Sequence, residues 1–214
     1  MSFHLRTASH NRRGVLPLAC LLLSFATGLC AAESPVLMVL GDSLSAGYGI
    51  PVEQGWVSRL QRRLDNNGNG FRVVNASISG DTTRGALTRL DRTLALHQPR
   101  IVVVELGGND GLRGVALVET RRNLEEILDR VRGAGARPLL VGMRLPPNYG
   151  PDYTEGFHGV FTDLAARLDI PLVPFLLDGV ALNPELMQDD GIHPRSAAQE
   201  RVLDNVWTHL APLL

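Results

Sequence analysis

The sequence predicts a single α/β domain in which helices cover both faces of a five-stranded parallel sheet. Short apolar runs bounded by Gly, Pro or polar residues alternate with segments of helical periodicity from residue 33 to residue 214. Strands joined through helices take right-handed crossovers, which place the helices on both faces. Five strands fit a flavodoxin-like, three-layer α/β/α layout with strand order 2-1-3-4-5.

Five runs have the character of buried strands, being rich in valine, leucine and isoleucine: residues 36–40, 71–75, 101–106, 139–141 and 171–175. The fifth is predicted at an edge of the sheet, because its prolines cannot complete a ladder of hydrogen bonds. Apolar residues recur at helical spacing in five further segments: residues 56–64, 87–94, 124–131, 157–168 and 203–210. The stretches between these elements are predicted to be loops.

A serine follows the first predicted strand, in the sequence Gly41-Asp42-Ser43-Leu44. Open α/β sheets bind ligands beyond the carboxyl ends of their strands, so Ser43 is predicted to face such a crevice. Gly41 allows the backbone to turn sharply after the strand. A serine in this position is more often a helix N-cap than a nucleophile, so the motif does not decide the function by itself.

A carboxylate and an imidazole lie close together before the last predicted helix, in the sequence 189–194, Asp-Asp-Gly-Ile-His-Pro. The gap between Asp190 and His193 lets the carboxylate accept a hydrogen bond from one ring nitrogen while the other nitrogen faces a serine. The same gap favours Asp190 over Asp189 for this role. The alternative interpretation is a solvated loop histidine beside a helix-capping aspartate.

Loops of small and polar residues follow the second and third predicted strands and contain Gly80 and Asn109. Hydrolysis of an ester needs hydrogen-bond donors aimed at the developing oxyanion. The backbone N–H groups of Ser43 and Gly80 and the side-chain amide of Asn109 are suited to this. In isolation, the commoner explanation is a tight turn at Gly80 and a turn residue that tolerates left-handed geometry at Asn109. Strand order 2-1-3 places both loops and Ser43 at one edge of the sheet.

Five ordered sequence blocks resemble those of the SGNH, or GDSL, hydrolases, a family named for Ser, Gly, Asn and His. The blocks are residues 41–48, 74–82, 105–114, 144–150 and 187–194. The resemblance implies Ser43 as nucleophile, His193 as base and Asp190 as the carboxylate that orients it. It also implies an oxyanion hole formed by Ser43, Gly80 and Asn109.

The resemblance further implies hydrolysis of acyl esters and thioesters, including acyl-CoA thioesters, lysophospholipids and aryl esters. The reaction would pass through an acyl-serine intermediate and use no cofactor. Two other functions remain open from the sequence. One is an esterase for carbohydrate or aryl esters with a small acyl group, and the other is a non-catalytic binding protein on the same fold.

Two loops are predicted to form the walls of a groove for the acyl chain. Gly108 and Leu112 lie in the first loop, and Pro146 and Tyr149 lie in the second. The glycines of residues 107–114 give that backbone many accessible conformations, so we expect the loop to move when an acyl chain binds. A tight turn without motion is the alternative.

The residue types that are missing exclude several chemistries. All 21 basic residues are arginine, which excludes a Schiff-base lysine, a Ser-Lys dyad and a phosphate-binding lysine of the Walker type. No cluster of His and acidic residues has the spacing of metal ligands, so we expect no metal and no cofactor. Nothing in the charge balance favours nucleic acid. The expected partner is a small acyl ester or thioester, with transient contacts to lipid substrates, and we expect a monomer.

The N-terminus has the pattern of a secretory signal peptide over residues 1–32. Three arginines without any acid precede an apolar segment at residues 14–30, and small residues lie just before Glu33. We therefore expect cleavage before Glu33, a mature SGNH hydrolase domain at residues 33–214, and a periplasmic or secreted bacterial protein. An uncleaved membrane anchor is the alternative, because the uncharged stretch is just long enough to span. Arg12-Arg13 leaves the Sec and twin-arginine export routes both open.

The predicted cleavage also changes the composition of the mature chain. Both cysteines, Cys20 and Cys30, lie in the signal, so the mature chain would have neither a disulfide nor a thiol nucleophile. The three arginines leave with it, which takes the formal net charge from −1 to −4. Serine, with histidine as its base, is then the natural candidate nucleophile.

Overall fold

The computed structural model describes residues 1–4 and 34–214. The predicted signal peptide and its cleavage site therefore lie outside the described residues, apart from residues 1–4. Residues 34–214 contain a five-stranded parallel sheet with the strand order 2-1-3-4-5, counted along the chain, which confirms the predicted topology. The helices at residues 83–97, 117–133 and 151–168 pack side by side as one group, and those at residues 56–66 and 199–210 pack together as another.

The strands are β1 Val36–Gly41, β2 Arg72–Asn75, β3 Ile101–Glu105, β4 Arg137–Val141 and β5 Leu172–Val173. The helices are α1 Ser43–Ala46, α2 Trp56–Asn66, α3 Thr83–His97, α4 Gly108–Leu112, α5 Leu117–Gly133, α6 Pro151–Leu168 and α7 Gln199–Leu210. Short 3-10 turns occur at Val52–Gln54, Pro147–Tyr149, Ser196–Ala198 and Ala211–Leu213. No helix of the described ranges combines the length and the apolar character that crossing a membrane requires.

The two central strands, β1 and β3, are buried along their whole length. Their continuous apolar sequence fits this position, because helices cover both faces of a parallel sheet. The register between them pairs Leu37 with Ile101 and, at the carboxyl end, Gly41 with Glu105. A glycine and an acid thus lie side by side at the edge of the sheet where the serine follows.

Helix ends follow local sequence signals. The side chain of Thr82 accepts a hydrogen bond from the N–H of Gly85 and caps α3, which ends where Gln98 takes a left-handed conformation. Helix α6 starts at Pro151, earlier than the predicted residue 157, because proline is suited to the first turn of a helix. Gly156 lies within this helix, and its lack of a side chain has a packing reason, because a Cβ there would lie 2.9 Å from Leu117 of α5.

Two predicted loops are short helices. Helix α1 begins at Ser43 and α4 begins at Gly108, each within three residues of the end of a strand. Both have only four or five residues, which is too short for a helical repeat of apolar positions to appear in the sequence. The fifth strand has only two residues, fewer than predicted, and lies at the edge of the sheet as expected.

Candidate active site

The turn after β1 presents Ser43 as the first residue of α1. A Cβ on Gly41 would lie 2.6 Å from Glu105 Oε2 and 2.8 Å from Ser45 Oγ, so no larger residue fits there. Asp42 caps the helix, because its Oδ1 accepts a hydrogen bond of 3.0 Å from the N–H of Leu44. Each residue of the Gly-Asp-Ser motif therefore has a structural role. Gly41 leaves room for the side chains of Glu105 and Ser45, Asp42 caps the helix, and Ser43 begins it.

The three residues predicted as a triad are in hydrogen-bond contact. His193 Nε2 lies 2.8 Å from Ser43 Oγ, and His193 Nδ1 lies 2.7 Å from Asp190 Oδ2. Asp190 Oδ1 also accepts hydrogen bonds from the backbone N–H groups of Ile192 and His193, at 2.9 and 3.0 Å. The imidazole is thus held with one nitrogen on the carboxylate and the other on the serine, which suits proton transfer from Ser43.

The carboxylate of Asp190 is stabilised in its charged form. Partial burial acts to raise its pKa, but hydrogen bonds from the backbone and the ring of His193 and from the backbone of Ile192 outweigh this and lower the pKa to about 2. Asp190 therefore stays ionised near neutral pH, where a negative charge beside Nδ1 stabilises an imidazolium formed during proton transfer.

Two residues that sequence reasoning missed, Tyr48 and Gln188, support the loop that carries His193. The ring of Tyr48 packs against that of His193, with 4.6 Å between centroids and a tilt of 40°. Gln188 Nε2 donates to the carbonyl oxygens of Tyr48 and Pro194, at 2.8 and 3.2 Å. Both residues lie within the sequence blocks that carry the family resemblance, which was the available signal. Their contacts join the histidine loop to the loop after α1.

The three predicted oxyanion-hole residues line one cavity together with His193. Gly80 has a φ of +79°, a conformation that residues with a side chain rarely adopt. Its carbonyl oxygen accepts a hydrogen bond of 3.0 Å from Arg113, which ties the Gly80 loop to the end of α4. Asn109 Nδ2 donates to Asp42 Oδ2 at 3.0 Å, and the second N–H of this amide remains to bind a substrate atom.

Two buried carboxyl groups lie beneath the serine, and neither was predicted as part of the site. Asp42 is 2% exposed and Glu105 is fully buried. Burial raises the pKa of Asp42 to about 6, against several hydrogen bonds that act to lower it. Burial and the neighbouring charge of Asp42 raise the pKa of Glu105 well above its usual range.

A second buried polar cluster connects the two loops that carry Gly80 and Asn109. Asp110 accepts the backbone N–H of Thr83 at 2.9 Å and the hydroxyl of Thr83 at 2.5 Å. Asn123 of α5 donates to the same hydroxyl at 3.1 Å. Since Asp110 follows Asn109 and Thr83 starts α3, this cluster fixes the start of α4 against the loop that carries Gly80.

The cavity next to Ser43 has a volume of about 930 Å³ and largely apolar walls, including Met143, Leu145, Phe175 and Leu177. That volume lies in the range of ligand-binding clefts. Three of the predicted groove residues line it: Gly108, Leu112 and Pro146. No group of three or more metal-binding side chains within residues 1–4 and 34–214 is arranged to hold an ion.

Tyr149, the fourth predicted groove residue, lies outside this lining, so a contact between it and the substrate stays a prediction. Its hydroxyl donates to the carbonyl oxygen of Leu112 at 3.1 Å, so it braces the wall from behind. Close packing explains one glycine of this wall, since a Cβ on Gly111 would lie 2.7 Å from Leu145 and Phe157. Motion of this segment on substrate binding stays a prediction.

Comparison with known proteins identifies the family. The model of the GDSL-like Lipase/Acylhydrolase family matches residues 39–201. Esterase TesA of Pseudomonas aeruginosa is 51% identical over 202 residues, covering 94% of this chain and 100% of the relative. Thioesterase 1/protease 1/lysophospholipase L1 of Escherichia coli K12 is 47% identical over 184 residues, covering 86% of this chain and 87% of the relative.

A solved structure agrees with the sequence relatives. The psychrotrophic esterase EstA from Pseudoalteromonas sp., inhibited by monoethylphosphonate, is similar with a TM-score of 0.79 and 38% identity, covering 83% of this chain and 97% of that one. The family resemblance predicted from the five sequence blocks is thereby confirmed. This chain is an enzyme of the GDSL-like lipase/acylhydrolase family.

Proposed function

We propose that the chain is a serine hydrolase that cleaves acyl esters and thioesters through an acyl-serine intermediate. One observation carries this proposal: Ser43 Oγ, His193 and Asp190 form a continuous hydrogen-bonded chain at the wall of an apolar cavity. A serine hydroxyl is a weak nucleophile unless a base takes its proton, and His193 Nε2 lies in position to do so.

In the first half of the reaction, Ser43 Oγ attacks the carbonyl carbon while its proton passes to His193 Nε2. The oxyanion accepts hydrogen bonds from the N–H groups of Ser43 and Gly80 and from the free N–H of the Asn109 amide. The imidazolium, stabilised by Asp190, then gives its proton to the leaving alcohol or thiol. The products are the acyl-serine and the released head group.

In the second half, water takes the place of the leaving group. His193 accepts a proton from the water as the oxygen attacks the acyl-serine carbonyl, and the same three donors bind the second oxyanion. The proton returns to Ser43 Oγ as the carboxylic acid departs. No step needs a metal or a cofactor, because histidine supplies every proton transfer.

The shape and chemistry of the cavity support substrates with an apolar acyl chain, including acyl-CoA thioesters, lysophospholipids and aryl esters. Its walls bury apolar surface, and each buried methylene contributes about 0.8 kcal/mol at most. The names of the relatives, esterase and thioesterase/lysophospholipase, agree with this range of substrates. Such substrates would bring the enzyme into transient contact with lipids, and we expect it to act as a monomer.

The test combines covalent labelling with a substrate panel. A fluorophosphonate should add to Ser43 at one equivalent, located by mass spectrometry, and a folded His193→Ala variant should label far more slowly. Thioesters and p-nitrophenyl esters of increasing acyl length should show kcat/KM rising with length. Labelling at another residue would contradict the proposed nucleophile, and a preference for acetyl esters would favour an esterase for small acyl groups.

We propose in addition that residues 1–32 direct export and are removed before Glu33, which makes the enzyme periplasmic or secreted. The arginine-rich start and apolar segment of the sequence support this. N-terminal sequencing of the enzyme from the periplasm of an expressing bacterium should give Glu33 first. Recovery of residues 1–32 on membrane-bound enzyme would instead indicate an uncleaved anchor.

A further inference from the structure

Glu105, at the end of β3, is a fully buried acid that no step of the proposed reaction uses. Its Oε2 accepts the hydroxyl of Ser45 at 2.5 Å and the backbone N–H of Asp42 at 3.2 Å. Its Oε1 is also buried and has no hydrogen-bond partner among the described residues. Burying a polar atom without a partner is unfavourable, so this atom calls for an explanation.

The charge state of the pair Asp42–Glu105 supplies one. Both carboxyls are buried, and the charge of Asp42 raises the pKa of Glu105, while the positive charge of His193 acts on Asp42. Such a pair keeps one proton between its members. Each carboxyl accepts two hydrogen bonds, but the positive charge of His193 acts on Asp42 and Glu105 is the more deeply buried of the two, so the negative charge is favoured on Asp42. The proton then belongs on Glu105, and its unpartnered Oε1 is part of a neutral carboxyl group, which costs less to bury than a carboxylate.

We propose that Glu105 is a positioning residue, a neutral carboxylic acid that holds the serine turn and keeps the Asp42 carboxylate free to orient the Asn109 amide. This inference rests on the serine hydrolase function proposed above. Glu105 acts through Asp42 and Ser45, and it touches neither the substrate nor the reacting atoms.

The orientation of the amide is the functional consequence. A carboxylate only accepts hydrogen bonds, so Asp42 requires the NH2 end of the Asn109 side chain to face it. A neutral Asp42 could donate to the amide oxygen and would permit the reverse orientation. The reversed amide would present oxygen in place of N–H to a developing oxyanion and repel it.

Ionisation of Glu105 makes the stability of the serine turn depend on pH. Because the pKa of Glu105 is raised on folding, its contribution to stability is fully present in acid and is lost as the pH rises through the folded value. The titratable groups that act on the pair are its own two members and His193, whose charge lowers the pKa of Asp42. At high pH, ionisation of Glu105 puts a second charge beneath the serine, which should displace the turn.

The test compares Glu105→Gln with Glu105→Ala in the full-length enzyme. Glutamine keeps the shape and the acceptor oxygen but cannot ionise, so it should retain kcat within about threefold and flatten the alkaline decline of kcat. Alanine should lower kcat at least about tenfold with little change in KM, since the amide acts on the transition state. In the wild type and Glu105→Gln, the side-chain NH2 signal of Asn109 should match in ¹H–¹⁵N spectra.

Three results would overturn the inference. They are a folded Glu105→Ala with wild-type kcat, an unchanged alkaline decline in Glu105→Gln, or a shifted Asn109 signal in Glu105→Gln at neutral pH. The last two need only the isosteric variant, which keeps the inference testable if alanine does not fold. Ser45→Ala is the comparison variant, because it removes one hydrogen bond that lowers the pKa of Glu105 but leaves the ionisable acid, so stability should fall and the alkaline decline should persist, shifted to higher pH. Fluorophosphonate labelling of wild-type Ser43 separately tests the function on which the inference rests.

Discussion

Two regions meet at Ser43, and they are built in different ways. The base loop, residues 187–195, positions His193 largely through Asp190, three residues away, whose side chain is 38% exposed. One longer contact, from Gln188 to Tyr48, joins this loop to the loop after α1. The nucleophile floor, consisting of Asp42, Ser45, Glu105 and Asn109, joins residues 60 to 67 positions apart. Most of the floor is buried.

This contrast separates activity from stability. Substitutions in the base loop should change the chemistry with little effect on folding, because exposed and local contacts contribute little to stability. Substitutions in the floor leave buried polar atoms without partners, which lowers stability as well. Kinetics and unfolding measured on the same variants test whether the two effects separate.

The largest effect is expected at Ser43, where the two regions join. Ser43→Ala should lower kcat by about 10⁴-fold or more, because only binding and oxyanion stabilisation remain. Steady-state kinetics measure the loss, and circular dichroism and thermal unfolding should match the wild type. Activity within tenfold of the wild type would contradict the assignment of the nucleophile.

In the base loop, Asp190→Asn should lower kcat by about 10³ to 10⁴-fold, because an amide does not hold the imidazole in the required tautomer. The free energy of unfolding should fall by about 1 kcal/mol or less, because the side chain of Asp190 is 38% exposed and solvent screens its contact with His193. Denaturant titration provides this value. A large loss of stability would erase the contrast between the two regions.

In the nucleophile floor, Asn109→Ala should lower kcat by about 10² to 10³-fold with little change in KM, because its amide binds charge that exists only in the transition state. Asp42 Oδ2 loses a donor, so stability should also fall by about 1–3 kcal/mol. Kinetics and denaturant titration on the same preparation test both effects. A loss confined to KM would indicate ground-state binding instead.

Activity should decline as the pH falls through about 6, because the pKa of Asp42 is raised to about 6 and its neutral form no longer holds the Asn109 amide in the orientation that binds the oxyanion. Asp190 is not the cause: its pKa is lowered to about 2, so the stability it contributes is present above its usual range and lost only as the pH falls toward 2. A pH profile of kcat/KM measures this. Loss of activity that coincides with unfolding would contradict the explanation.

The smallest effect is expected at Asp110, which joins α4 to the start of α3. Asp110→Asn should lower kcat about tenfold and stability by about 1–3 kcal/mol, because an amide NH2 would face the donors of Thr83. Thr83→Ser, which keeps both donors, is the matched control and should stay near the wild type. Equal losses in both variants would show that the methyl group of Thr83 matters more than the hydrogen bonds.

Prediction from the sequence succeeded for strands that are buried along their whole length and failed for helices of a single turn. The apolar runs before Ser43 and at residues 101–106 correspond to β1 and β3, because a strand covered on both faces needs a continuous apolar sequence. Helices α1 and α4 were predicted as loops, since one turn of helix has no apolar repeat. Tyr149 lies outside the cavity lining although Pro146 of the same loop lies within it, because sequence neighbours on one loop point in different directions.

The sequence by itself determined the sheet order, the family, and the residues of the base loop, because short spacing between Asp190 and His193 restricts their geometry. It could not show that Glu105 lies against Gly41 and Asp42, nor that Asn109 bonds to Asp42. Those contacts arise from the register of β1 with β3, which brings residues more than 60 positions apart together at one sheet edge. Burial then decides the protonation of both acids, and burial is a property of the folded chain alone.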